Sequence, residues 1–275
     1  MSRSVAIVYK DDDQAACLAK TAVELLKAEG FETWEERSGR RRAEPPYGFA
    51  PELIISLGGD GTLLYAARVW GLNGAPLFGV NLGRLGFLAE TEPDDFAFFL
   101  RDVLAGAATV EQRMALEVSV MRDERVTAGA VGLNEAVVNK GSPARIICLN
   151  VLARNFGEWR FRADGLIIAT PTGSTGYNMS AGGPVVYPTL PAIIVTPICP
   201  VALSSRPLVL PPDCSVEMVV DSHDTDIHLT VDGQVDLILR PGDRVVVRRH
   251  RVAINLIVNP RRNFIDVLHH KLGWT

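Results

Sequence analysis

The chain has 275 residues, 47% hydrophobic and 22% charged, with a formal net charge of -4. That length suits two modest domains, and the composition is one that can bury a core. A mildly acidic chain of this kind lacks the broad positive surface that would hold nucleic acid or an anionic membrane. Basic residues gather only at Arg37 to Arg42 and at Arg248 to Arg251, runs short enough to be solvated loop or strand ends. Cys17, Cys148, Cys199 and Cys214 are scattered and form no zinc-ligand spacing, so neither a metal centre nor a disulfide framework is expected. The opening "MSRSVAIVYK" is too briefly apolar for a secretory signal. A cytoplasmic setting follows as the expectation.

In chain order, "SVAIVY" predicts a short strand. "DQAACLAKTAVELLKAEG" predicts a helix, with Ala15, Leu18, Ala22, Leu25 and Leu26 at helical spacing and Gly30 as its stop. "ELIISLGG" predicts a buried strand, "TLLYAARVWG" the helix after it, and "APLFGVNLG" a further strand. "PDDFAFFLRDVLAG" predicts another helix, with Asp94 or Asp95 as N-cap. This alternation predicts an α/β, Rossmann-like domain over residues 1–112, its sheet mainly parallel and covered by helices. Near Met114 the texture changes to short strand-like segments between turns, among them "MALEVSVMRD", "EWRFRADGLIIATP" and "DRVVVRRHRVAINLIVN". They predict an all-β, sandwich-like domain over 113–255. The apolar run "PAIIVTPICPVAL" holds three prolines and cannot be a membrane helix. "NFIDVLHHKLGW" predicts a helix in a tail, 256–275, that returns toward the first domain.

The strand-to-helix turn Gly58-Gly59-Asp60-Gly61-Thr62 raises a chemical question. A purely local account is available: glycines take positive φ, and Asp or Thr caps the helix. In the functional account, bare backbone and a helix N-terminus receive phosphate oxygens. A free carboxylate beside polyphosphate would repel it. A divalent cation between them relieves the conflict, as does a carboxylate that takes a proton from an attacking hydroxyl. Both belong to phosphoryl transfer, so Asp60 is the candidate base, and Gly58, Gly59, Gly61 and Thr62 are the candidate phosphate contacts. A P-loop, a dinucleotide G-x-G-x-x-G and a G-x-S-x-G elbow are all absent. The histidine pairs His223/His228 and His269/His270 have no metal-ligand spacing on one helix face.

Two later segments carry further signal. "LNE" ends in Asn134 and Glu135 before a strand-like run. "DGLIIATPTGSTGYNMSAGGP" then sets Thr170, Thr172, Ser174, Thr175 and Ser180 among glycines, behind a strongly apolar strand. So many small hydroxyl residues are costly to order without a ligand such as a ribose, an amide or a phosphate. With the GGDGT turn, "GVNLGRLGFL", "LSSRPLVLP" and the C-terminal "KLGW", the sequence resembles the NAD kinase family. The turn alone is shared with lipid kinases and phosphofructokinases; the long threonine-glycine segment is the specific part.

The resemblance implies transfer of the γ-phosphate of ATP to the 2′-hydroxyl of the adenosine ribose of NAD, giving NADP. Mg²⁺ or another divalent cation would accompany ATP, and no residue of the chain is assigned as its ligand. It implies Asp60 as general base with Gly61 beside it, and NAD contacts from Asn134, Glu135, Arg145, Arg162 and Asp164. Thr175, Gly176, Tyr177, Asn178, Met179, Ser180 and Gln234 would complete that set. It also implies an active site between the two domains and a homodimer or homotetramer. Gly176 departs from the family's "TGSTAY", Tyr65 stands where a basic residue is frequent, and Val201 replaces a usual histidine. "TVDGQVDL" reads equally well as a plain hairpin with Asp-Gly at its turn. Two rivals remain: a lipid kinase, which would need an apolar cleft where this chain has a hydroxyl-lined loop, and a non-catalytic NAD sensor, which would not need Asp60.

Overall fold

The computed structural model describes residues 3–39, 48–83, 86–141, 146–221 and 226–273. The chain divides into two compact units, Met1–Gln112 with Ile254–Thr275, and Arg113–Ala253. In the first unit β1 (Ser4–Tyr9), α1 (Asp13–Ala28), β2 (Glu32–Arg37), β3 (Leu53–Gly58), α2 (Asp60–Trp70), β4 (Leu77–Asn81), α3 (Phe96–Leu104) and β5 (Thr109–Arg113) follow one another. The chain re-enters this unit as β18 (Ile254–Val258) and α5 (Phe264–Leu272). One six-stranded sheet runs in the order β2-β1-β3-β4-β18-β5, with β1 parallel to β2 and β3, and β4 parallel to β3 and β18.

β1, β3 and β4 are buried along nearly their whole length, as expected of parallel strands covered on both faces. α1 begins where the Asp12 side chain accepts the Ala15 N–H at 2.8 Å and turns Ala15, Ala19, Ala22, Val23 and Leu26 inward. α5 starts from an Asn263 cap and stops at left-handed Gly273. Strand order departs to opposite sides after β1 and before β3, which makes a topological switch point there. Open α/β sheets bind ligands at the carboxyl ends of strands at such a place, and the GGDGT turn leaves the carboxyl end of β3.

One element here was not expected from the sequence, and two expectations change. β2, "ETWEER", is a strand despite its charges, because it lies at the sheet edge. α3 has Asp95 at its N-cap position without a side-chain cap bond, and a 3₁₀ turn over Pro93–Asp95 leads into it. "INLIV", read with the β-rich segment, is a strand of the first unit's sheet.

The second unit is a β-sandwich. One sheet runs β10-β9-β14-β17-β6-β7, the other β13-β12-β11-β8-β15-β16. The strands are β6 (Leu116–Arg122), β7 (Arg125–Gly132), β8 (Glu135–Lys140), β9 (Ile147–Ala153), β10 (Gly157–Ala163), β11 (Gly165–Ala169), β12 (Ile193–Ile198), β13 (Leu208–Leu210), β14 (Val216–Val220), β15 (Ile227–Val231), β16 (Val235–Leu239) and β17 (Arg244–Arg249). Alternate residues of both sheets share one core, including Val118, Val138, Leu149, Ile168, Met218, Leu229 and Val247. On the other face of the second sheet, Val137, Ile167, Ala169, Ile194 and Ile198 pack with Val186. That cover comes from the loop after β11, which includes a 3₁₀ turn over Thr172–Thr175 and the short α4 (Tyr177–Ser180).

Pro197 sits inside β12, opposite Leu166 of β11. It is tolerated because β13 pairs only with Ile193, Ile194 and Val195. The Ile198 carbonyl accepts from Asp164 on the β11 side, so by alternation Pro197 turns its backbone to the side β13 does not reach.

Candidate active site

In the first unit the GGDGT turn differs from its local account. Gly59 is the N-cap of α2 with φ -106° and makes no side-chain cap bond; none of Gly58, Gly59 and Gly61 is left-handed. Asp60 is the first helical residue and does not cap its own helix. Its half-buried carboxylate reaches instead to the segment after β4. Oδ2 accepts the Phe87 N–H at 2.8 Å, and Oδ1 accepts those of Leu88 and Ala89, both at 3.2 Å. A carboxylate offers about four acceptor directions. Oδ1 is fully used, while Oδ2 keeps one direction open. Gly86 makes this approach possible, since a Cβ there would come within 2.6 Å of Asp60 Cγ.

Thr62 is 6% exposed, its side chain packed against Gly58, and its N–H and that of Leu63 bond to the Gly59 carbonyl. The Thr62 side chain is therefore part of the packing and its N–H is used within the turn, which leaves neither directed at a phosphate and corrects the expected contact. Tyr65 turns away from the turn: its hydroxyl donates to Glu36, which also accepts Trp70 Nε1–H at 3.1 Å.

In the second unit, Asn134 and Glu135 enter β8 from a turn held on both sides. Asp232 accepts three successive N–H groups, from Leu133 and Asn134 at 2.8 Å and Glu135 at 3.1 Å. From the other side Thr170 Oγ1 donates to the Leu133 carbonyl at 2.6 Å, and the Thr170 N–H to that of Asn134 at 2.8 Å. Gly173 presses on the same turn; a Cβ there would lie 2.5 Å from the Asn134 carbonyl carbon.

The hydroxyl-rich loop separates into two sets. Thr170 and Ser174 are committed internally, Ser174 exchanging two hydrogen bonds with the Val186 backbone at 3.0 and 3.1 Å. Asn178, expected to contact the dinucleotide, is fully buried. Its amide donates to the Ser174 and Pro184 carbonyls and accepts from Thr196. That side chain ties the loop together, which corrects its expected contact with the dinucleotide. Thr175, Gly176 and Met179 are half-buried, while Tyr177 and Ser180 are exposed. Within this turn and loop, Asn134 Oδ1, Glu135 Oε2 and Thr172 Oγ1 are buried and make no hydrogen bond. Such atoms are rare in native proteins, and one physical account is a missing ligand. Gly176 adjoins this set: a Cβ there would sit 3.0 Å from Glu135 Oε2.

Burial, reinforced by the Asp232 carboxylate, pushes Glu135 up to about 8, against the opposing pull of the Tyr177 N–H. Between the ordinary value of 4.5 and about 8 the folded chain holds a proton at Glu135 that the unfolded chain has lost. Stability is therefore greatest below that window and falls as pH rises through it. Glu135→Gln is expected to flatten this part of the melting profile between pH 5 and 9; slopes that stay parallel in the two proteins would exclude a protonated Glu135.

Models of the ATP-NAD kinase N-terminal and C-terminal domains match residues 8–108 and 133–258. The chain belongs to the NAD kinase family. It is similar to the NAD kinase of Geobacter sulfurreducens, 41% identical over 280 residues and 99% of each chain. The NAD kinase of Desulforamulus reducens is 45% identical over 221 residues, 80% of this chain and 77% of the relative. Among solved structures, yeast NADH kinase complexed with NADH covers all of this chain and 88% of its own at 25% identity, with a TM-score of 0.85. An Archaeoglobus fulgidus NAD kinase in complex with ATP covers 99% of this chain and 100% of its own at 28% identity, with a TM-score of 0.78.

Of the other residues implied by the family resemblance, Arg162 is exposed on β10, and Asp164 pairs with Lys140 at 2.5 Å. Gln234 is exposed in the β15–β16 turn. Arg145 lies outside the described residues. Asp232 went unnoticed in the sequence because Asp-Gly is an ordinary hairpin signal. The turn does have that backbone, with φ of 52° and 62° at Asp232 and Gly233, but the side chain has a second use. Arg248 makes a two-point ion pair with Glu117, which suits a solvated strand end. Among the described residues no helix is long and apolar enough to cross a membrane.

Proposed function

We propose that the protein transfers the γ-phosphoryl group of ATP to the 2′-hydroxyl of the adenosine ribose of NAD. The bond from the ribose oxygen to phosphorus forms as the bond from phosphorus to the β,γ-bridging oxygen breaks. ADP leaves, and the hydroxyl proton passes to Asp60. In this reading Asp60 Oδ2 supplies the base through its open acceptor direction, and the Phe87 to Ala89 backbone sets its aim. Asn134, Glu135, Thr172, Thr175, Gly176, Tyr177, Met179 and Ser180 hold the dinucleotide, with Arg162, Asp164 and Gln234 as further contacts. Protonated Glu135 would donate a hydrogen bond to an acceptor on the ligand.

The observation that carries the ligand assignment is the trio of buried, partnerless atoms at Asn134, Glu135 and Thr172. Among the described residues no group of three or more His, Cys, Asp or Glu side chains could hold a metal. A divalent ion would arrive on the triphosphate, where it would offset phosphate charge. A cytoplasmic homo-oligomer completes the proposal. The test is NADP formation when protein, NAD, ATP and Mg²⁺ are mixed, with a lipid acceptor in parallel; NADP must accumulate and the lipid must stay unphosphorylated.

Gly86→Ala is expected to push the Asp60 carboxylate off its three donors and lower turnover at least tenfold, with NAD affinity little changed. Wild-type turnover in that variant would show that the loop yields and that its grip on Asp60 is not needed.

A further inference from the structure

We propose that Asp232 is a positioning residue, fixing the Leu133 to Glu135 turn so that Asn134 and Glu135 meet the dinucleotide in the correct attitude. The inference rests on the NAD reading of those two residues. Three successive N–H groups converge on one acceptor only where the backbone curls round it, and Asp232 is that acceptor. Its own place is fixed by left-handed φ in the hairpin and by its N–H bond to the Glu135 carbonyl at 3.0 Å. Thr170 binds the carbonyl side of the same turn, so its polar backbone is held from two elements at once. Asp232 is 7% exposed, which suits a residue acting through others.

The choice of a carboxylate has a physical reason. An asparagine would offer one oxygen and set its NH₂ against an N–H, whereas a carboxylate accepts from all three donors through charge-assisted bonds. Its charge has a second effect, discouraging ionisation of Glu135. Among the described residues Asp232 is the charged side chain acting on Glu135, and Tyr177 contributes through its backbone N–H.

The test is Asp232→Asn in the full chain, assayed with NAD, ATP and Mg²⁺ across pH. KM for NAD should rise at least tenfold, kcat should fall no more than about threefold, and KM for ATP should hold. The alkaline limb of kcat/KM for NAD should move to lower pH, because Glu135 loses a repelling neighbour; a purely structural lesion would lower the profile without moving its limb. A folded variant with wild-type KM for NAD and an unmoved limb overturns the proposal. Should that variant fail to fold, Asp232→Glu keeps the charge and must raise KM for NAD with the limb in place; wild-type values there overturn it equally. Absence of NADP from the wild-type reaction would overturn the reading of the site and this assignment with it.

Discussion

Replacing Asp60 by Asn is expected to lower turnover by about 10²–10⁴-fold, the usual contribution of a positioned general base, while NAD affinity stays within a few-fold. The substitution preserves shape but removes the group that takes the proton. It also has a structural cost that can be told apart from the chemical one. Oδ1 and Oδ2 together accept three backbone N–H groups. An amide supplies one oxygen, so at least one donor would face an NH₂, at a cost of about 1–3 kcal/mol. Melting should therefore fall modestly while turnover falls steeply. Parallel measurement of the melting temperature, NAD binding and the rate of NADP formation separates the effects. Turnover within threefold of wild type would remove Asp60 from the mechanism.

Gly173→Ala should be damaging for a different reason. The new Cβ would stand 2.5 Å from the Asn134 carbonyl carbon and 2.6 Å from its Cα. Both neighbours are backbone, so no rotamer change relieves the overlap. Either the Thr172–Thr175 turn or the entry to β8 must move, at about 1–3 kcal/mol or more. KM for NAD should rise more than tenfold, because the displaced turn is the one that aims Asn134 and Glu135. KM for ATP should change little. A variant with wild-type melting and wild-type KM for NAD would show that the loop has slack at this point.

Much of this architecture was legible because its signals are local. The alternation of buried strands and amphipathic helices in the first hundred residues, and the change to short strands after Met114, follow from side-chain period and turn residues. β2 was illegible because an edge strand need not be apolar. β18 was misread because strand character says nothing about which sheet a strand joins, and that pairing is set by contacts far away in sequence. The candidate site divides in the same manner. Asp60, Asn134 and Glu135 stand out as polar residues at glycine-rich turns. Asp232 does not, since its partners lie about a hundred residues upstream and its Asp-Gly dipeptide has an ordinary explanation. Asn178 and Ser174 illustrate the converse error, polar residues in a ligand-like segment whose hydrogen bonds close within the loop. Composition reveals that donors are present, but only coordinates reveal which have partners.

The proline within β12 has a consequence for how cheaply this sheet can end. Where β13 stops, β12 becomes the border of its sheet, yet Pro197 at that border is buried. A backbone N–H shut away from water with no strand to receive it is costly. Proline removes that donor, so the ladder can finish inside the protein with no N–H left over at this position.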